Sequence, residues 1–128
     1  MKSILIVEDN ATEASLLVKY LQSSGFDVLY VTTAEAAKAI LEQKVFDVIL
    51  TDVVLPGQSG YGFCREIKKK PKTAHVPVVI CSSKAETIDQ KWGLKQGASA
   101  YVSKPINQAE IIKTINEVIQ QSSHNASA

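Results

Sequence analysis

The sequence has little that marks a specialised class of protein. Its two cysteines, Cys64 and Cys81, are spaced neither as a Cys-x-x-Cys pair nor as metal ligands, so we interpret them as reduced thiols in a cytoplasmic protein. No apolar run approaches the roughly 20 residues of a membrane span, and the first run, residues 4–7, is too short for a secretion signal. The chain also has no large excess of positive or negative charge. The 14 Lys and Arg nearly balance 13 Asp and Glu, which excludes a broadly cationic nucleic-acid binder.

The chain length favours a single domain. Its 128 residues suffice for one hydrophobic core without disulfides or structural metals. We expect this domain to occupy residues 1–121 and to be followed by a small, polar, flexible tail, residues 122–128. No length remains for a separate output domain.

Apolar runs rich in Val and Ile alternate with segments of helical spacing. Several of the runs are continuous rather than alternating, which is typical of strands buried on both faces of a parallel sheet. The alternation predicts five β-α units, and hence an open, doubly wound, five-stranded parallel sheet with helices on both faces. The predicted strands are residues 4–7, 28–31, 47–50, 76–81 and 100–102.

Capping signals mark the predicted helix starts. A Ser, Thr or Asn followed three residues later by Glu can satisfy the free N–H groups of a first turn. Gly25 and Gly97 lie where the first and fourth helices should end. The capping pairs are Asn10 with Glu13, Thr32 with Glu35, Ser83 with Glu86, and Asn107 with Glu110.

Polar side chains follow four of the five predicted strands. In parallel α/β sheets, ligands bind beyond the carboxyl ends of the strands, so these side chains should converge there. They are Glu8 and Asp9 after the first strand, Asp52 after the third, Ser82 at the end of the fourth and Lys104 after the fifth.

Three converging carboxylates require protons or a cation. Oxygen ligands without His or Cys select a hard ion, and Mg²⁺ is the usual one in phosphoryl chemistry. Lys104 and Ser82 can then contact phosphoryl oxygens. Asp52 is the best candidate nucleophile for an acyl phosphate, since it precedes an accessible loop.

Each residue also has an ordinary structural explanation. A single Asp at a strand end is more often a cap than a reacting group, and Glu8 and Asp9 can simply open the first helix. Ser83 is expected to cap the fourth helix, which leaves Ser82 for the functional role. The combination of all five residues is what favours a phosphoryl site.

The motifs resemble the receiver domain of two-component response regulators. They are Glu8-Asp9, then Asp52-x-x-x-Pro56-x-x-x-Gly60, then Ser82, then Tyr101-x-x-Lys104-Pro105. The resemblance covers residues 4–120 and implies a flavodoxin-like, CheY-like (βα)5 fold. It further suggests a stand-alone regulator of type IV pilus twitching motility or phototaxis, through the segment from Trp92 to Ala98 and through Cys64-Arg65.

The resemblance implies a role for each site residue. Asp52 would accept a phosphoryl group from a histidine kinase. Asp9, Asp52 and the Val54 carbonyl would hold Mg²⁺, with Glu8 acting through a bound water. Lys104 would pair with the phosphoryl group. Ser82 would move toward it, and Tyr101 would then turn inward. A downstream effector would bind the face formed by the fourth helix, fifth strand and fifth helix.

Several alternatives stay open at this point. The protein can transmit a signal, or it can serve as a phosphotransfer intermediate or phosphate sink in a multistep phosphorelay. A small α/β phosphohydrolase is disfavoured because no Asp-x-Asp follows the first strand, and we do not expect an enzyme acting on a separate substrate. The Lys104-Pro105 bond lies at a strand-to-helix turn, where cis peptides occur.

Two further features admit two interpretations each. The basic run of Lys68, Lys69, Lys70 and Lys72 is either a solvated helix end or a docking patch for an acidic partner. Trp92 either packs against Ile88 or lies on a signalling surface.

Overall fold

The computed structural model describes the backbone of residues 1–127 and the side chains of residues 1–122. Strands and helices alternate along the described chain, as the sequence predicts. The strands are β1 (Ser3–Val7), β2 (Asp27–Val31), β3 (Val48–Thr51), β4 (Val78–Ser82) and β5 (Ala100–Ser103). The helices are α1 (Ala11–Ser23), α2 (Ala34–Leu41), α3 (Gly60–Lys69), α4 (Thr87–Lys95) and α5 (Gln108–Ser127).

All five strands pair in parallel in the order β2-β1-β3-β4-β5. The predicted doubly wound fold is therefore confirmed. Strand β2 lies on one side of β1, and β3, β4 and β5 follow in order on the other side, so the direction of the strand order reverses at β1. This reversal creates a crevice at the carboxyl ends of β1 and β3, which is where ligands bind in such sheets.

Hydrophobic clusters cover both faces of the sheet. Alternate strand residues such as Leu5 and Ile49 pack with α2 and α3, whereas their neighbours Ile4 and Leu50 pack with α1 and α5. The central strands are buried on both faces, which explains their continuous apolar runs. Cys64 and Cys81 are free and buried, and burial raises the pKa of their thiols to about 11 and about 12.

Two of the predicted helix starts are confirmed and two are wrong. The Asn10 and Asn107 side chains accept from the Glu13 and Glu110 N–H groups. Helix α2 is capped by Thr33 instead of Thr32, since it is the Thr33 hydroxyl that accepts from the Ala36 N–H, and the Glu35 side chain accepts from the Gln58 N–H across the fold.

Helix α4 begins at Thr87, after Glu86, instead of following Ser83. The Glu86 N–H donates to the Asp89 carboxylate, and the preceding residues form a loop that carries part of the site. Gly25 and Gly97 follow α1 and α4 with φ of 90° and 105°, the left-handed conformation that glycine adopts without strain.

The proposed tail, residues 122–128, remains untested. The α5 backbone continues to Ser127, but the side chains beyond residue 122 and all of Ala128 lie outside the described residues. Within the described residues, no helix combines the length and the apolar character needed to cross a bilayer.

Candidate functional site

The site lies in the crevice between β1 and β3. The Asp52 N–H donates to the Val7 carbonyl, so Glu8 and Asp52 emerge side by side from neighbouring strands. The Lys104 N–H donates to the Ser82 carbonyl, which fixes the end of β5 against the end of β4. The Lys104-Pro105 peptide bond is cis. The structure thus gathers residues from four strand ends on one edge of the sheet, as the sequence predicts.

Lys104 is the centre of an ion-pair network. Its Nζ lies 2.6 Å from Glu8 Oε1 and 2.8 Å from Asp52 Oδ2, and it also contacts the Glu13 carboxylate. The Lys104 side chain is 8% exposed, and those of Glu8 and Asp52 are 2% and 12% exposed. Charges this deeply buried are tolerated because they are paired and hydrogen-bonded.

Burial and pairing act in opposite directions on these groups. Burial raises the pKa of the Glu8 carboxyl, and hydrogen bonds from Lys104 and from the Asn10 N–H offset that only in part. Burial would lower the pKa of the Lys104 ammonium, but its hydrogen bonds to Asp52, Glu13 and Glu8 outweigh burial and raise that pKa. Lys104 therefore remains a cation inside the pocket.

The loop after Asp52 holds the carboxylate in a defined orientation. Asp52 Oδ1 accepts from the Val53 N–H at 2.6 Å and lies 3.4 Å from the Val54 nitrogen, which leaves Oδ2 facing Lys104. Val54 is exposed, so the loop opens to solvent at this point. The Glu35 carboxylate holds the far end of the loop through the Gln58 N–H.

Helix α3 approaches this loop at Gly60. A Cβ atom at position 60 would lie 1.8 Å from the Asp52 carbonyl oxygen, closer than atoms can approach. The Gly60 N–H also donates to the Val53 carbonyl at 2.8 Å. Only glycine therefore lets α3 pack directly behind the residue that bears the candidate nucleophile.

Ser82 and Tyr101 are connected through the loop between β4 and α4. The buried Ser82 hydroxyl accepts from the Lys84 N–H at 3.1 Å, and the Tyr101 hydroxyl donates to the Lys84 carbonyl. The Tyr101 oxygen lies 3.2 Å from the Tyr61 hydroxyl, which donates to the Asp89 carbonyl in α4. A movement of Ser82 can thus reach α4 through shared hydrogen bonds.

The donor set fits a magnesium ion. Carboxylate oxygens of Glu8, Glu13 and Asp52 lie within 4.8 Å of one another, and oxygen-only ligands of this kind suit a hard divalent cation. Asp9 is exposed and lies outside this group of three. The predicted roles of Asp9 and of the Val54 carbonyl as direct ligands stay predictions.

Sequence reasoning identifies neither Glu13 nor Tyr61 as a residue of the site. It assigns Glu13 to a capping pair. Its N–H does make the cap, but its side chain turns to Lys104. Its place on the first turn of the helix that follows Glu8 is the signal that could have identified it. Tyr61 carries no comparable signal, because its contact with Tyr101 depends on how α3 packs beside β5.

The fold and the acidic pocket at the switch point define a class of protein, the CheY-like α/β signalling domains. The model of the response regulator receiver domain matches residues 4–116. The chain belongs to this family. Receiver domains accept phosphoryl groups from histidine kinases and bind Mg²⁺ in an acidic pocket, and they are signalling domains rather than enzymes.

Similar proteins include Protein PilH of Pseudomonas aeruginosa. It is 37% identical over 119 residues, which cover 93% of this chain and 98% of PilH. The receiver domain of the sensor histidine kinase PA1611 from the same species, solved with magnesium in its active-site cleft, is 30% identical with a TM-score of 0.86, and the match covers 93% and 98% of the two chains. A response regulator structure from Chloroflexus aurantiacus is 26% identical with a TM-score of 0.90, and covers 93% and 98%.

Proposed function

We propose that this protein is a single-domain response regulator that accepts a phosphoryl group on Asp52 from a histidine kinase. The observation that carries the proposal is the Asp52 carboxylate held 2.8 Å from a buried Lys104 at the switch point of the sheet. The likeness to PilH, which covers almost the whole of both chains, supports a role in pilus-based twitching motility or a related phototaxis system.

The transfer is a displacement at phosphorus. An oxygen of Asp52 attacks the phosphoryl group of a phosphohistidine, the new O–P bond forms, and the P–N bond breaks with its electron pair going to the ring nitrogen. The imidazole leaves neutral because its other ring nitrogen has taken a proton from solvent. Lys104 turns from Glu13 toward a phosphoryl oxygen and stabilises its charge. Ser82 donates a hydrogen bond to a second phosphoryl oxygen, which requires its hydroxyl to move away from the Lys84 N–H.

The proposed magnesium ligands are Asp9, Asp52 and the backbone carbonyl of Val54, with Glu8 acting through a bound water. When bound, the ion neutralises the carboxylates and the incoming phosphoryl oxygens. Glu13 is the third carboxylate of the cluster with Glu8 and Asp52, and we propose that it competes with Asp52 for Lys104 in the unphosphorylated protein.

Phosphorylation changes the balance between two packings of the same residues. The added charge and acceptor oxygens attract Ser82 and Lys104, and the loop at Lys84 follows. The Tyr101 hydroxyl then loses its present partner, the Lys84 carbonyl, and its ring changes position beside Gly93 of α4. We propose that an effector protein detects the result on the face formed by α4, β5 and α5.

The extent and location of the protein form part of the same proposal. Residues 1–121 constitute the receiver in this proposal. We propose that the protein acts in the cytoplasm, where it would meet a histidine kinase and an effector protein.

Intact-mass spectrometry tests the proposal directly. Incubation with acetyl phosphate and Mg²⁺ should add one phosphoryl group, and removal of Mg²⁺ by a chelator should prevent the addition. Asp52→Asn should abolish it, whereas Asp27→Asn, which changes an exposed carboxylate at the start of β2, should not. Addition to the Asp52→Asn protein at the normal rate would overturn the proposal.

A further inference from the structure

Helix α4 presents one side to α3 and another to β5. The Asp89 carbonyl accepts from Tyr61 of α3, and the Gln96 side chain accepts from Arg65 of α3 at 2.9 Å. Gly93 contacts Tyr101 of β5 instead. Because successive helical residues are about 100° apart, these contacts fix which side of α4 borders each neighbour.

The side of α4 that borders α3 carries exposed apolar residues. Moving around the helix from Gly93 past Asp89 and Gln96, the next side chains are Trp92, Ile88 and Lys95. Ile88 is 74% exposed and Trp92 is 47% exposed. The predicted packing of Trp92 against Ile88 therefore does not bury either residue. The Lys95 Nζ lies 5.7 Å from the centre of the Trp92 ring, a cation–π contact.

Four cations are exposed on α3 and α4. Arg65 and Lys69 are exposed on α3, one turn apart, and Lys91 and Lys95 are exposed on α4. Within the described residues, none of the four is in an ion pair. Glu66 of α3 pairs instead with Lys38 of α2 at 2.8 Å, on the other side of α3. We call the six residues Arg65, Lys69, Ile88, Lys91, Trp92 and Lys95 the α3–α4 surface.

We propose that the α3–α4 surface binds an acidic protein segment that carries aliphatic or aromatic side chains. Trp92 and Ile88 would bury the apolar side chains, and the four unpaired cations would pair with carboxylates around them. On α4, Trp92 and Ile88 lie on the opposite side from Gln90 and Leu94, which with Tyr101 belong to the proposed effector face, and Lys91 lies between the two sides. The α3–α4 surface therefore provides a second contact, one that is exposed in the unphosphorylated protein.

A peptide titration tests this proposal on the unphosphorylated protein without Mg²⁺. The probe is a short synthetic peptide of alternating aspartate and leucine, and the control peptide has asparagine in place of aspartate. Trp92 is the single tryptophan of the chain, so its fluorescence reports binding at this surface directly. The acidic peptide should give a saturable change that weakens with added salt, and the asparagine peptide should give none.

Two double variants separate local binding from general charge attraction. Lys91→Glu with Lys95→Glu should weaken binding by about tenfold or more. Lys19→Glu with Lys113→Glu makes the same change in net charge at exposed positions on α1 and α5, and should change binding by less than about twofold. Amide shifts in a nitrogen-15 spectrum should concentrate at Ile88, Trp92 and Lys95.

Several results would overturn the proposal. These are the absence of saturable binding, equal weakening by both double variants, and amide shifts concentrated at Gln90, Leu94 and Tyr101. Tighter binding of a single-stranded oligodeoxynucleotide than of the acidic peptide would assign the surface to nucleic acid. None of these results depends on phosphoryl transfer, so they leave the proposed function unaffected.

Discussion

At the scale of single residues, Lys104 is the group on which the pocket depends. It is buried among three carboxylates, of which Glu8 has almost no contact with water. Removing the ammonium would leave these carboxylates to repel one another at short range. The same residue thus stabilises the unphosphorylated fold and supplies charge for the proposed reaction.

Lys104→Met should lower the free energy of unfolding by about 3 kcal/mol in a chelator, because removing one partner strands the buried charge of the others. Added Mg²⁺ should restore part of the loss by replacing the missing cation. Urea denaturation followed by circular dichroism measures both effects. Lys38→Met breaks the more exposed pair with Glu66 and should cost less than about 1 kcal/mol, without a response to Mg²⁺. Equal losses for the two variants would contradict this role for Lys104.

The site residues that could be predicted are those fixed by strand position. Glu8, Asp52 and Lys104 each directly follow a strand, so knowledge of the sheet sufficed to bring them together. Glu13 lies on a helix, and its position in a capping pair already explains why a glutamate is there. The sequence does not show in which direction a side chain on a helix points, so the contact of Glu13 with Lys104 could not be predicted.

At the scale of elements, the packing of α3 behind β3 depends on a single glycine. The start of α3 lies so close to the Asp52 carbonyl that position 60 has no room for a Cβ atom. A Cβ atom at Gly62, two residues later, would meet the flexible Gln58 side chain at 3.3 Å and the Ser59 hydroxyl oxygen at 3.5 Å, both ordinary or nearly ordinary contacts. The two glycines therefore have different physical reasons to be present.

Gly60→Ala should destabilise the protein by about 3 kcal/mol, because the helix and the loop that carries Asp52 must separate. Gly62→Ala is the matched control and should be neutral or stabilising by less than about 1 kcal/mol, since alanine favours helix. Thermal denaturation of the two variants measures the difference. A loss at Gly62 as large as that at Gly60 would show that crowding in general, and not the Asp52 carbonyl in particular, is responsible.

Element boundaries could be predicted only to within a residue or a few. The Asn10 cap is confirmed even though the Glu13 side chain turns to Lys104. Thr32 and Thr33 are adjacent and both can cap a helix, and the structure uses Thr33, whose hydroxyl accepts from the Ala36 N–H. Likewise Ser83 could not be rejected as a cap without knowing that Lys84 bonds to Ser82 and Tyr101.

At the scale of the whole molecule, alternation of strands and helices was enough to predict the fold class, since parallel strands require crossover helices. The net charge of +1 was less informative. Although the whole chain is nearly neutral, it has an acidic pocket at one edge of the sheet and a cationic surface on α3 and α4. Only the folded arrangement separates the two.

The most direct test of the proposed function is to locate the phosphoryl group. Borohydride reduces an aspartyl phosphate to homoserine, which marks the modified residue permanently. After phosphorylation and reduction, tandem mass spectrometry of the tryptic peptide spanning residues 45–65 should place homoserine at position 52. This peptide also contains Asp47, which serves as an internal control. Homoserine at Asp47 or elsewhere, with Asp52 unchanged, would contradict the assignment of Asp52 as the phosphoacceptor.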